Sequence, residues 1–157
     1  MKIPTTDNNF QGDHAALLGS SFSRLLGREL LPGFSSVSTV EFAQSLFESP
    51  AVIVSHGTQD DPIFNYGNQA ALSLFEMSWE QFTQLPSRKS AEPLNREERG
   101  RLLEAVTRQG FIDDYSGVRI SAKGRRFHIP KAIVWNVVNE ERKLVGQAAT
   151  FSDWEFL

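Results

Sequence analysis

The sequence predicts an α+β domain: a five-stranded antiparallel sheet with short helices on one face, preceded by two further helices. Three observations carry that expectation. Helical periodicity dominates up to Pro50 and then gives way to short apolar runs of strand length. The last third of the chain reads as strands joined by tight polar turns, a connection that requires antiparallel pairing. Between the second and third strands lies a long stretch, Gly67 to Gly110, that reads as several short helices. That is enough chain to cover one face of a sheet.

Residues 1–13 are polar and are expected to be a mobile tail, and residues 14–49 to be two helices packing on the sheet. From His14, the residues Leu18, Phe22, Leu25, Leu26 and Leu30 share one helical face, and Pro32-Gly33 is expected to end that helix. Ser38 with Glu41 fits a capping box, in which each side chain satisfies a free backbone donor. The helix it opens buries Ala43, Leu46 and Phe47 and stops near Ser49-Pro50. Ala51–Val54 and Ile63–Tyr66 read as strands, separated by Gly57 and the turn at Asp60-Asp61-Pro62. Asn68 is placed to cap a short helix, and Ser78 with Gln81 forms a second capping box for a turn carrying Trp79 and Phe82. Asn95 with Glu98 is expected to cap a longer helix with Arg99, Leu102, Leu103 and Val106 on one face, ended by Gly110. Strands follow at 111–121, 125–138 and 144–151, with a turn at Lys123-Gly124.

Composition narrows the chemistry. With no cysteine in 157 residues, disulfides, thiolate metal sites, thiol nucleophiles and cysteinyl-flavin chemistry are excluded. No stretch approaches the ~20 apolar residues of a membrane span, and the N-terminus lacks the apolar core of a secretory signal. A cytoplasmic location with no membrane partner is therefore expected. The net charge of −3 offers no general attraction to nucleic acid. The basic group Lys123, Arg125, Arg126 and Lys131 surrounds a hairpin tip, where charge keeps a sheet edge from associating. His14, His56 and His128 are too scattered for a metal-ligand spacing, and no metal is expected. Gly19-Ser20-Ser21 lies inside a helical pattern and is not a nucleophile elbow. The pairs Asp60-Asp61 and Asp113-Asp114 are expected to point to opposite sides of the backbone and not to converge on a substrate.

The order of elements, with Asn68-Gln69-Ala70-Ala71, Phe75, the run Met77 to Phe82, and Lys123-Gly124 at its corners, resembles a PAS domain over residues 48–154. More narrowly, Ile63–Asn68, Phe111–Gly117, Ala132–Asn136 and Ser152-Asp153-Trp154 resemble the MEKHLA branch of that superfamily, which would take residues 50–157 as its domain. MEKHLA domains stand at the C-terminus of plant homeodomain–zipper regulators and as free-standing bacterial or algal proteins; the free-standing type is expected here. Glu76 departs from the pattern where many PAS domains carry Gly, and no Gly marks the last hairpin. Nothing amphipathic follows Trp154, so any signal is expected to leave through the domain surface or the leading helices.

The resemblance implies a sensory or regulatory module without catalysis, one that holds a small ligand or docks a protein partner, as a homodimer. Aromatic walls with a few polar atoms are what small-molecule pockets usually present. The candidate pocket is therefore Phe64, Tyr66, Asn68, Trp79, Phe82, Phe111, Tyr115, Phe127, Trp135 and Asn136, with Asn65 and Gln147 as further inward polar groups. A fully packed core of the same composition is the competing reading. A non-covalently held flavin, flanked by Trp79 or Trp135, stays open as a cofactor. Haem is disfavoured, because the helix ending at Gln109 carries no His. Two other readings remain: a cone-shaped α+β enzyme of ketosteroid-isomerase type, which would need a deeply buried carboxylate, and a pure protein-interaction domain with a closed core. In the strand 125–138, Ala132, Ile133, Val134, Trp135, Val137 and Val138 are apolar on both parities, so it is expected to be covered on both sides. One cover is the core and the other the leading helix or a second subunit, the helix being favoured with a dimer as addition.

Overall fold

The computed structural model describes residues 1–94 and 96–157. Helices α1 (Gly12–Leu26) and α2 (Val40–Glu48) lead into strands β1 (Val52–His56) and β2 (Phe64–Gly67). Three helices follow, α3 (Gln69–Phe75), α4 (Trp79–Phe82) and α5 (Arg96–Arg108). Strands β3 (Phe111–Ile120), β4 (Arg126–Val138), β5 (Leu144–Phe151) and a short β6 (Glu155–Phe156) complete the chain. The strands form one antiparallel sheet in the order β2-β1-β5-β4-β3, and β6 adds to the stretch of β4 that β5 does not reach. The sheet thus has one strand more than the sequence predicts, because two residues after Trp154 are enough to pair with Phe127 and His128.

The helix boundaries follow backbone conformation more closely than apolar spacing. Helix α1 stops at Leu26, well before Pro32, because Gly27 takes a left-handed φ of +71° and donates its N–H to the Ser23 carbonyl. Helix α2 is capped by Thr39 and not by Ser38: the Thr39 hydroxyl accepts from the Phe42 N–H at 3.1 Å. Asn68 caps α3, and Ser78 with Gln81 makes the expected reciprocal box at α4. The expected cap at Asn95 lies outside the described residues. On α5 the buried face is Ala105 and Val106 with Leu102 partly covered, whereas Leu103 is 57% exposed.

Two departures from the family pattern have direct explanations. Glu76 ends α3 in the left-handed region, with φ +56°, where glycine would be free of strain. Its carboxylate accepts from Ser121 Oγ at 2.7 Å and lies 3.6 Å from Lys123 Nζ, which ties the turn to the β3–β4 hairpin. Arg142 fills the equivalent left-handed position between β4 and β5, with φ +62°. Asn139 Oδ1 braces that turn by accepting from the backbone of Glu141 and Lys143.

Residues 1–13, expected to be a mobile tail, are packed against the domain. Phe10 is buried, Trp79 Nε1 donates to the Met1 carbonyl at 3.0 Å, and the side chains of Asn8 and Gln11 hold the carbonyls of Ile3 and Lys2. A polar sequence hid this, because one aromatic anchor and a few backbone hydrogen bonds suffice to order a short segment.

Apolar side chains collect on both faces of the sheet. On the inner face, toward α3–α5, lie Val52, Val54, Phe64, Phe75, Phe82, Phe127 and Phe151. On the outer face, Ile53, Trp135, Val137 and Ala148 meet Leu18 and Phe22 of α1 and Phe42 and Leu46 of α2. The leading helix covers β4 as its two-sided apolar pattern predicts. Phe22 stands edge-on to Trp135 at 5.0 Å, and Trp135 Nε1 donates to the Leu18 carbonyl. Ser21 adds two bonds, donating to the Val138 carbonyl and accepting from its N–H. At Gly19 an added Cβ would lie 2.8 Å from the Phe42 ring, so the close approach of α1 and α2 requires glycine there.

Candidate functional site

The ten aromatic and amide residues singled out in the sequence do not converge on one pocket. Phe64, Phe82, Tyr115 and Phe127 belong to the inner face, together with Phe75. Tyr66, Trp79, Trp135 and Phe111 belong to the outer one. The cause is local. Between Ser55/Tyr66 and His56/Phe64 the pairing slips by one residue, so Asn65 is extra and its neighbours turn to opposite sides. Phe64 then stacks on Phe82 at 4.2 Å within the inner cluster, and Tyr66 stands edge-on to Trp79 at 5.8 Å in the outer one. Helix α4 straddles this edge of the sheet, one aromatic on each side. Strand β3 is irregular as well. Between Ile112 and Tyr115 the register shifts and both Asp113 and Asp114 face solvent, where alternation predicts opposite directions. Asp114 there meets Arg101 at 2.7 Å.

Asn68 is fully buried but faces no cavity. Its Oδ1 accepts from the N–H groups of Ile53 and Ala71, both at 3.1 Å. Its Nδ2 donates to the carbonyls of Leu46 and Ala51 at 3.1 and 2.8 Å. All four of its hydrogen-bonding positions are thereby taken. Asn136 does face inward, donating to the Val106 carbonyl at 3.0 Å and accepting from Gln147 Nε2 at 3.3 Å.

A cavity of about 70 Å³ lies between the inner face and the helices. Of the predicted set only Phe64 and Tyr115 line it; Phe75, Leu102, Ile129 and Val134 supply further apolar wall. Its polar lining comes from Ser55, His56, Ser87, Arg119 and Gln147. Burial lowers the His56 pKa; the hydrogen bond to the Gly57 carbonyl opposes this, the Arg119 charge lowers it further, and a bond to the Gln147 side chain again opposes. The sequence singled out Gln147 but missed Arg119. Its pairing with Phe127 across the hairpin was the available signal, since directly opposed residues share a face. No Asp or Glu among the described residues is buried or lines this cavity. A wider open groove of about 820 Å³ runs between α1, residues 37–40 and the β4–β5 turn, and contains none of the predicted residues.

The outer face has its own polar group. Ser55 donates to Asn65 Oδ1, which makes His14 Nε2 the donor to Ser55 Oγ at 2.9 Å. Burial lowers the His14 pKa to about 4, and the neighbouring Tyr66 hydroxyl, buried without a hydrogen-bond partner, is shifted upward for the same reason. The basic hairpin residues are mostly engaged. Lys123 meets Glu76, Arg126 pairs with Glu92 and Arg125 stacks on the Phe156 ring at 3.4 Å.

A flavin does not fit this arrangement. The cavity is far below the roughly 300–1,000 Å³ of typical ligand pockets. Trp79 and Trp135, the expected flanking rings, lie on the opposite side of the sheet. Among the described residues no group of His, Asp or Glu is placed to hold a metal, and no helix is long and apolar enough to cross a membrane.

The sheet order, with α3–α5 laid across one face, defines a PAS fold. A PAS domain from Colwellia psychrerythraea is similar with a TM-score of 0.59 and 19% identity, over 74% of this chain and 94% of that one. A light-oxygen-voltage domain whose mechanism was probed with a flavin analogue gives 0.56 and 12%, over 74% and 84%. Within that fold the chain belongs to the MEKHLA domain family, whose model matches residues 12–156. The homeobox-leucine zipper protein ATHB-15 of Arabidopsis thaliana is 24% identical over 137 residues, which are 87% of this chain and 16% of that protein. The chain therefore spans about a sixth of that relative's length. The curated relatives are plant proteins, and they do not bear out the expectation of a bacterial or algal type. The family match begins at Gly12 and so takes in α1 and α2.

Proposed function

We propose that this chain is a non-catalytic regulatory module that works by contact with protein and carries at most a ligand of a few heavy atoms in its inner cavity. The observation that carries this reading is the size of that cavity, about 70 Å³, lined by Phe64, Phe75, Leu102 and Tyr115 among others. A chamber of that size holds a few waters or a very small molecule. The family supports a regulatory role, since relatives named as homeobox-leucine zipper proteins carry the same domain. The isomerase alternative loses support, because its carboxylate base would need a place in the cavity and none of the lining residues is acidic. Action in the cytoplasm and assembly as a homodimer belong to the same proposal.

Native mass spectrometry of the purified chain tests it. The expected mass is that of the polypeptide, alone or doubled, with no adduct of several hundred daltons and no absorption band above the protein peak. A stoichiometric organic adduct of cofactor size would sink the reading.

A further inference from the structure

The inner cavity has one charged wall. Arg119 reaches it from β3, half-buried, with its backbone bridged to Ala91. Its Nη1 donates to Ser90 Oγ at 2.9 Å and toward the Ser87 carbonyl at 3.5 Å. Ser90 is completely buried, so the turn at Ser87–Ser90 holds the guanidinium from one side. Among the described residues no hydrogen bond engages its Nε or Nη2, and no carboxylate lies within ion-pair distance. Arg88, Arg101 and Arg126, all on the surface, each have such a partner. A guanidinium offers its donors as a planar fork that matches a carboxylate, and a partly buried cation without a counter-charge is costly. The wall also carries the polar residues Ser55, His56, Ser87 and Gln147; its apolar part, Phe64, Phe75, Leu102 and Ile129, suits hydrocarbon.

We propose that this cavity binds a small organic acid with a single carboxylate, the carboxylate on the free edge of Arg119 and a short hydrocarbon tail against Phe64, Phe75 and Ile129. The inference rests on reading the inner cavity as the module's ligand site, and adds the charge and size of the ligand. The volume limits the tail to a few carbons. One cation favours one negative charge: a doubly charged phosphate would leave a charge uncompensated beside apolar walls.

The test is thermal melting of the full chain with acetate, propionate, propionamide or inorganic phosphate, at ionic strength fixed with sodium chloride. Propionate at ten times its Kd, set by isothermal titration, should raise the melting temperature by roughly 3–5 °C. Propionamide and phosphate should leave it unchanged. Arg119→Gln should abolish the response, and so should Ala149→Leu, which fills the chamber but keeps the arginine. The inference is overturned if no acid acts, if propionamide or phosphate matches propionate, or if the response survives in whichever of the two variants folds. Failure of the acids with a bare mass in native mass spectrometry removes only the ligand. A cofactor-sized adduct removes the closed-core module itself.

Discussion

On its outer face the sheet is covered by α1 and α2, which precede the strands; on its inner face it is covered by α3–α5, which come from the connection between β2 and β3. The outer contact is made by large rings meeting a helix backbone, as where Trp135 packs on Phe22 and donates to Leu18. The inner contact leaves a small chamber, because its helices are short and polar side chains, His56, Gln147 and Arg119, line part of it. The difference separates two tasks. One face seals the domain, and the other keeps a small space with polar lining in which a ligand of a few atoms could be recognised.

Asn68 sits where the two coverings meet, so its removal disturbs both faces at once. Asn68→Ala strands donors and acceptors in α2, β1 and α3 at once, and should cost about 4 kcal/mol in urea denaturation. Trp135→Ala tests the outer face alone. Its expected cost is roughly 3–5 kcal/mol, read from the same denaturation curve, with the inner cavity and any ligand response unchanged.

Acidity separates the faces more gently. His14 is held neutral with a pKa near 4, against 6.5 when free, so the unfolded chain takes up its proton first as pH falls. The stability is fully present above pH 6.5 and is lost as pH falls toward 4. Between pH 7 and pH 5 the loss from this residue is about 2 kcal/mol. His14→Gln should flatten that part of the profile; an unchanged slope would show that the outer face does not bury the neutral ring. The smallest effect is expected inside. Phe75→Leu should cost about 1 kcal/mol, because an apolar side chain is kept at a wall that already adjoins free space. Calorimetry should find that it admits a longer acid than the parent does.

The family resemblance was legible because its motifs are local: the Asn68 cap, the Ser78–Gln81 box and the Lys123-Gly124 turn each depend on residues within a few positions. The candidate site residues divide between the two faces of the sheet for the opposite reason. Phe64 and Tyr66 have the same parity, and nothing in the run Phe64-Asn65-Tyr66 announces the slipped pairing with β1 that turns them apart. Arg119 was missed because parity counted from the start of β3 fails at two register shifts before Gly117, whereas its pairing with Phe127, counted back from the hairpin, keeps the face.

By itself the sequence determined the class of fold, the order of its elements, the family and the coverage of β4 on both sides. These follow from hydrophobic period and from side chains bonding to their own nearby backbone. Only the tertiary structure decided which aromatic faces which side, that residues 1–13 are anchored through Phe10, and that the interior space is small with one unpaired guanidinium at its wall. A one-residue slip in strand pairing reverses every subsequent side chain, and that slip is set by contacts between strands distant in the chain.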